Sequence, residues 1–177
     1  MGFEDESGIS ERPVVRRTWS LKGKTPIITS SGSWKNLTMA ALLLFTPQGG
    51  NPRVMFRLQA GVMKKEHFVE YLKDIKRMMQ KKKLLLIWDG LPGHKASIVA
   101  DYIKQEKAWL RVERYPGYAP ELSPVEYLWS PIKTKDLAHI PPQGLGDLKR
   151  KVRRAFRRIK KDRRLLAGCL RKAGVLT

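Results

Sequence analysis

Cysteine is almost missing from this chain of 177 residues: Cys169 is the only one. A single thiol excludes an intramolecular disulfide and a cysteine-rich zinc site, and it fits a reducing compartment. Cys169 itself reads as a small apolar core residue. Long apolar runs are missing too. The longest, Met39 to Phe45, is far too short to span a bilayer. No signal peptide is visible, because the first residues include Glu4-Asp5-Glu6. Acidic residues are scarce: 16 Asp and Glu stand against 36 Lys and Arg, a net charge of +20 with pI ≈ 10.4. Such an excess calls for an anionic partner, with nucleic acid ahead of a membrane surface. No internal repeat is visible, and no low-complexity segment before the basic tail.

What is present suits a globular chain with a core of its own: 42% hydrophobic and 29% charged residues. Glu11 to Lys24 is polar and basic and reads as an extended loop or hairpin, broken by Pro13 and Gly23. Ser31-Gly32-Ser33 reads as a turn. Leu37 to Thr46 and Val54 to Leu58 read as strands joined through the turn-forming Pro47 to Pro52, part of an antiparallel meander. Phe68, Tyr71, Leu72, Ile75, Met78 and Met79 recur at three and four residues, which predicts an amphipathic helix over 64–83. Leu84 to Trp88 reads as a strand buried on both faces. Ser97 to Lys107 reads as a helix, Trp109 to Tyr115 as a strand, and a further helix starts near Val125. Pro141 and Pro142 break the chain before a last helical region over 147–172. The order of strands, helix, strand, helix, strand, helix, helix predicts an α/β fold, a mixed sheet flanked by helices.

The stretch from Leu84 to Trp129 organises the rest. Asp89 lies just past a predicted strand, at the sheet edge where α/β proteins place ligands. Glu126 follows Pro124, in the first turn of a predicted helix. Thirty-six residues separate the two acids, room for one helix and one strand, so the second carboxylate can return to the first. Clustered carboxylates suit hard divalent cations, and two such ions clamp the attacking and leaving oxygens of a phosphodiester. Local chemistry alone leaves blander readings open. Asp89 is also a good turn residue before Gly90, and Glu126 a good first-turn acid. His94 either orients a water or a phosphate or bonds within its own loop. Trp88 and Trp129 read as core aromatics. The basic segment from Arg12 to Lys24 reads as touching DNA or another subunit.

Three motifs carry a resemblance. Phe3-Glu4-Asp5-Glu6 resembles the first acidic motif of the DDE transposases, Trp88-Asp89-Gly90-Leu91-Pro92-Gly93-His94-Lys95 the second, and Pro120-Glu121-Leu122-Ser123-Pro124-Val125-Glu126-Tyr127-Leu128-Trp129 the third. The chain is most similar to the bacterial insertion-sequence branch related to mariner elements. That resemblance implies a ribonuclease H-like, retroviral-integrase-like fold. It implies Asp5, Asp89 and Glu126 as catalytic residues and ligands of two Mg²⁺ or Mn²⁺ ions, with Glu4, Glu6 and Glu121 as neighbouring rivals. It also implies cleavage and strand transfer on transposon ends and target DNA, a homodimer on DNA, and a bacterial cytoplasm, at the nucleoid. The family has Asn where this chain has Ser123. Its usual helix-turn-helix readers lie upstream, so the chain reads as the catalytic part of a longer or frameshifted transposase. The alternative is a non-catalytic basic DNA-binding remnant.

Two segments are expected. Residues 1–140 form the catalytic domain, with its first strand cut short; residues 141–177 form a basic helical extension. Residues 147–177 hold thirteen Lys and Arg against two Asp, eleven of the twenty net charges. Lys149, Arg150, Lys151, Arg153, Arg154, Arg157, Arg158, Lys160 and Lys161 are the expected phosphate contacts.

Overall fold

The structure is a computed structural model and describes residues 1–12, 17, 19–27, 29, 35–48, 50–116, 119–138 and 141–176. Pro13, Arg16, the turn at Ser31-Gly32-Ser33, Gly49 and Tyr118 lie outside the described residues. Five strands form one sheet: β1 (Gly2–Ser10), β2 (Asn36–Leu44), β3 (Arg53–Ala60), β4 (Leu84–Trp88) and β5 (Leu110–Arg114). Helices are α1 (Lys65–Met79), α2 (Ser97–Gln105), α3 (Glu126–Pro131), α4 (Leu145–Lys161) and α5 (Arg163–Lys172). The strand order is β3-β2-β1-β4-β5. The first three strands are antiparallel, and β4 and β5 run parallel to β1. No helix among the described residues is long and apolar enough to cross a membrane.

Side chains that alternate along central strands build two cores, one on each face. Leu37, Met39, Ala41 and Leu43 of β2 point to one cluster with Phe3, Leu128, Trp129, Phe156 and Leu170. Ala40 and Leu42 point to the other, with Phe68, Tyr71, Leu72, Leu86 and Trp88. The continuous apolar run of β2 thus serves both faces, as a central strand must. In β4, Leu84, Leu86 and Trp88 are buried, whereas Leu85 and Ile87 are half-buried, so the expected burial on both faces is uneven.

The expected shortening of the first strand is not seen. β1 has nine residues, each in register with β2 from Gly2↔Leu44 to Ser10↔Asn36, so Asp5 sits mid-strand, opposite Ala41. The stretch expected as an appended extension shares its core with the sheet. Leu148, Val152, Ala155, Phe156 and Ile159 of α4 lie in the same cluster as Phe3 and Met39, and Phe156 stacks on Phe56 of β3 with ring centroids 4.1 Å apart. An amphipathic helix buries its apolar stripe wherever hydrocarbon awaits, and the outer face of β3 is that place. The last helical region is also divided. Asp162 ends α4 and caps α5, its Oδ1 accepting the Leu165 N–H at 2.9 Å.

Because α4 builds the core, Phe156→Ala should cost about 3–5 kcal/mol of unfolding free energy, as for other buried aromatics. Urea melts check this. A cost under about 1 kcal/mol would mark the helix as a loosely attached appendage.

Candidate active site

Alternation along β1 sorts its acids. Asp5 faces the α3–α5 side with Phe3, while Glu4 and Glu6 share the α1–α2 side with Ala40 and Leu42, their partners on β2. β4 pairs with β1 only at Gly2↔Leu86 and Phe3↔Ile87. Continuing that register by two residues brings Asp89, just past β4, beside Asp5. α3 begins at Glu126. Asp5, Asp89 and Glu126 then line one pocket of ≈ 220 Å³, with Tyr115, Pro116, Ala119 and Ser123. Glu121 lies exposed in the short turn before α3 and does not line this pocket.

Two nitrogen donors fix the aspartates. The Trp129 indole N–H donates to Asp5 Oδ2 at 2.7 Å. Trp129 stands three residues after Glu126, on the same helix face, so one helix supplies an acid and anchors another. His94 Nδ1 lies 2.7 Å from Asp89 Oδ1, which also accepts the Leu91 N–H at 2.9 Å. His94 Nε2 lies 2.9 Å from Glu6 Oε1. The imidazole stacks on Trp88 at 4.1 Å, with Phe68 edge-on at 4.4 Å. Gly93 permits this approach, since a Cβ there would sit 2.6 Å from a Phe68 ring carbon.

Sequence reasoning left His94 between two readings. The structure buries it at 2% exposure and bonds it to the Asp89 carboxylate as well as the Asp89 carbonyl. Its link to Glu6 crosses 88 positions of sequence, so no local signal could have shown it. Trp129 is in the core, as expected, but its donor role was missed; the i, i+3 interval to Glu126 was the available signal.

Like charges this close perturb one another. Burial pushes the Asp5 carboxyl up to about 7; the Trp129 bond opposes that, and Glu126 and Glu6 add to it. Burial, then Glu6, Asp5 and Asp89, push Glu4 well above the usual carboxylate range. For Asp89 burial acts upward, but bonds from His94 and the Leu91 N–H prevail and hold it below its ordinary value. Burial alone would lower His94, yet Asp89 and Glu6 raise it to about 9, so at neutral pH both ring nitrogens donate. Ligand oxygens of Asp5, Glu6 and Asp89 lie within 4.8 Å of one another, an all-oxygen set that fits a hard divalent cation.

The nine basic residues of α4 divide. Arg150, Arg153, Arg154, Arg157, Lys160 and Lys161 are exposed, and Lys149, Lys151 and Arg158 are half-buried. Arg150 and Lys151 pair with Asp147 at 2.7 and 2.9 Å, and Arg158 grips Asp136 with two nitrogens at 3.1 and 2.6 Å.

The shifts predict a pH dependence for the metal-free chain. Folded Asp5 keeps its proton to about 7, against 3.8 ordinarily, so folding loses stability as pH rises between those values. The His94 contribution is complete below its ordinary 6.5 and is lost as pH rises through about 9. The melting temperature without divalent cation should therefore fall from about pH 5 to about pH 9, and Asp5→Asn should flatten the acidic half of that fall. A melting temperature that climbs across this range would contradict the electrostatics.

Residues 1–164 match the family described as DDE superfamily endonuclease. Among curated protein sequences none matches. The Mos1 transposase in a paired-end complex with the left transposon end superposes with a TM-score of 0.72 at 17% identity, covering 97% of this chain and 51% of that one. The Mos1 mariner paired-end complex with Mn gives 0.73 at 18%, covering 97% and 52%. The catalytic domain of Mos1 mariner transposase gives 0.58 at 16%, covering 98% and 81%. This chain thus spans about half the length of the first two. The shared fold is the ribonuclease H-like mixed sheet. The motifs resemble those of the DDE transposases, and the matched region runs through nearly all of the described fold: the chain belongs to the DDE superfamily endonucleases.

Proposed function

We propose that this chain is the catalytic part of a DNA transposase, and that Asp5, Asp89 and Glu126 hold two Mg²⁺ or Mn²⁺ ions for strand cleavage and strand transfer. The observation that carries the reading is the convergence of three carboxylates, from β1, the end of β4 and the start of α3, on one pocket. The related Mos1 structures carry Mn in one case and Mg in another. When bound, such ions activate an attacking oxygen and stabilise a leaving one. Trp129 and His94 orient Asp5 and Asp89 from behind, and Pro116 and Ala119 wall the pocket. Water attacks phosphorus, the P–O3′ bond breaks, and the 3′-hydroxyl leaves with a proton. That hydroxyl then attacks a phosphodiester of target DNA. Burial pushes the Tyr115 phenol, which lines the pocket, far up, so it stays protonated and is a poor nucleophile. No covalent protein–DNA intermediate is needed.

A non-catalytic remnant is the poorer reading: a shortened first strand would favour it, whereas the nine residues of β1 are in register with β2 and the three acids converge on one pocket. The setting that fits is a bacterial cytoplasm, at the nucleoid, with a homodimer on paired transposon ends. The exposed Arg153, Arg154, Arg157, Lys160 and Lys161 of α4, together with Lys149, are the best phosphate contacts. Arg150, Lys151 and Arg158 also serve acids of their own chain.

Strand cleavage and transfer on a 3′-ended duplex should require Mn²⁺ or Mg²⁺. Asp89→Asn should lower the rate by at least about a thousandfold while the protein still melts cooperatively. A variant that cleaves at the parent rate would end the enzymatic reading. Binding should fall steeply with salt, and replacing Arg153, Arg154 and Arg157 by Gln should reduce the log–log slope by about two to three. An unchanged slope in filter-binding titrations would move the DNA to another face.

A further inference from the structure

The wall behind the Asp5 pocket holds a second group of polar atoms that the proposed reaction does not use. Glu4 is 1% exposed, and neither of its carboxylate oxygens has a partner; Glu6 Oε2 and the Tyr71 hydroxyl are likewise buried and unpaired. The surroundings are hydrocarbon and ring carbon: Leu42, Phe68, Leu72, Leu86 and Trp88. A buried carboxyl group with neither oxygen hydrogen-bonded is costly in either protonation state, and such atoms point to something bound. Burial, and after it the charges of Glu4 and Glu6, push the Tyr71 phenol, outside the acidic group itself, above its ordinary value. The one nitrogen that reaches these oxygens, among the contacts of the described residues, is His94 Nε2, 2.9 Å from Glu6 Oε1 and 3.9 Å from Glu4 Oε2.

We propose that Glu4, Glu6 and His94 form an inner metal site for one divalent transition-metal ion of the Mn²⁺ or Zn²⁺ kind, on the face of the sheet opposite Asp5. Their ligand atoms lie within 4.8 Å of one another, a spacing that small side-chain rotations close to about 2.1 Å from a common ion. An imidazole beside two carboxylates suits Mn²⁺ or Zn²⁺ better than Mg²⁺ or Ca²⁺, which prefer oxygen alone. The ion displaces the Nε2 proton to solvent and takes its place, while Nδ1–H donates to Asp89 Oδ1 at 2.7 Å, the carboxylate–histidine–metal arrangement found around many such sites. His94 thereby joins the inner ion to the outer pocket; Glu6 also stands in the oxygen group with Asp5 and Asp89, but none of the three inner ligands is among the residues proposed for catalysis, so the inner site does not depend on that reading.

Pulsed EPR of the chain titrated with MnCl₂ tests this. The outer pocket offers oxygens only, so directly bound imidazole ¹⁴N coupling is the signature of the inner site. That coupling should appear in the intact chain and persist with one equivalent of Mn²⁺ in the Asp5→Asn/Glu126→Gln double variant. His94→Gln should abolish it, and Glu4→Gln should weaken the retained Mn²⁺ at least tenfold. An oxygen-only spectrum in the intact chain, which needs no variant to fold, would overturn the proposal and assign the orphaned oxygens to a shared proton or buried water. Coupling that survives His94→Gln would overturn it too. An intact chain that shows the ¹⁴N signal but cleaves no DNA with Mn²⁺ or Mg²⁺ would count against the catalytic reading and leave the inner site standing.

Discussion

Negative charge concentrated at one point of a positive molecule is the constraint around which the rest is arranged. Glu4, Asp5, Glu6, Asp89 and Glu126 approach one another in a chain of net charge +20, and among the described residues none of the nearby side-chain bonds comes from Lys or Arg. The fold compensates with an imidazolium from the turn between β4 and α2 and an indole from α3, both packed against rings. Such donors set direction without neutralising the whole cluster. Residual repulsion is what makes a site able to take up cations, since a carboxylate group already matched by arginines has little to gain from an ion.

The sheet is legible in the sequence because its signals are local. Leu84 to Trp88, the periodic stretch around Tyr71 and the apolar run of β2 each carry their period within a dozen residues. Asp89 and Glu126 were recognisable by position, one past a strand and the other at a helix start. The stretch after Pro141 was read by its charge, and charge describes a surface rather than a place in the fold. Its apolar stripe was visible at Leu148, Val152 and Phe156, but nothing local says that the stripe lies on β3. Contacts such as Glu6 with His94 or Asp5 with Trp129 join residues 88 and 124 positions apart, and only the assembled topology brings them together.

The two cores divide the labour. One, beneath α1 and α2, encloses His94 and the inner carboxylates; the other, beneath α3, α4 and α5, carries Asp5 and Trp129. β1 is their common wall, and successive residues of that single strand belong to different environments. Basic residues occupy the solvent side of α4 because its other side is committed to Phe56 and its neighbours. The same helix therefore contributes hydrocarbon inward and charge outward, and neither property can be altered without regard to the other.

The interval between Glu126 and Trp129 has a consequence for how such chains age. A helix turns about 100° per residue. One residue inserted between these two would swing the indole to another side of α3 and release Asp5, although every letter of the motif would survive. A lineage can thus fall silent by changing a distance while keeping its vocabulary. Intact copies are to be recognised by the phase of Glu126 relative to Trp129 as much as by the presence of both.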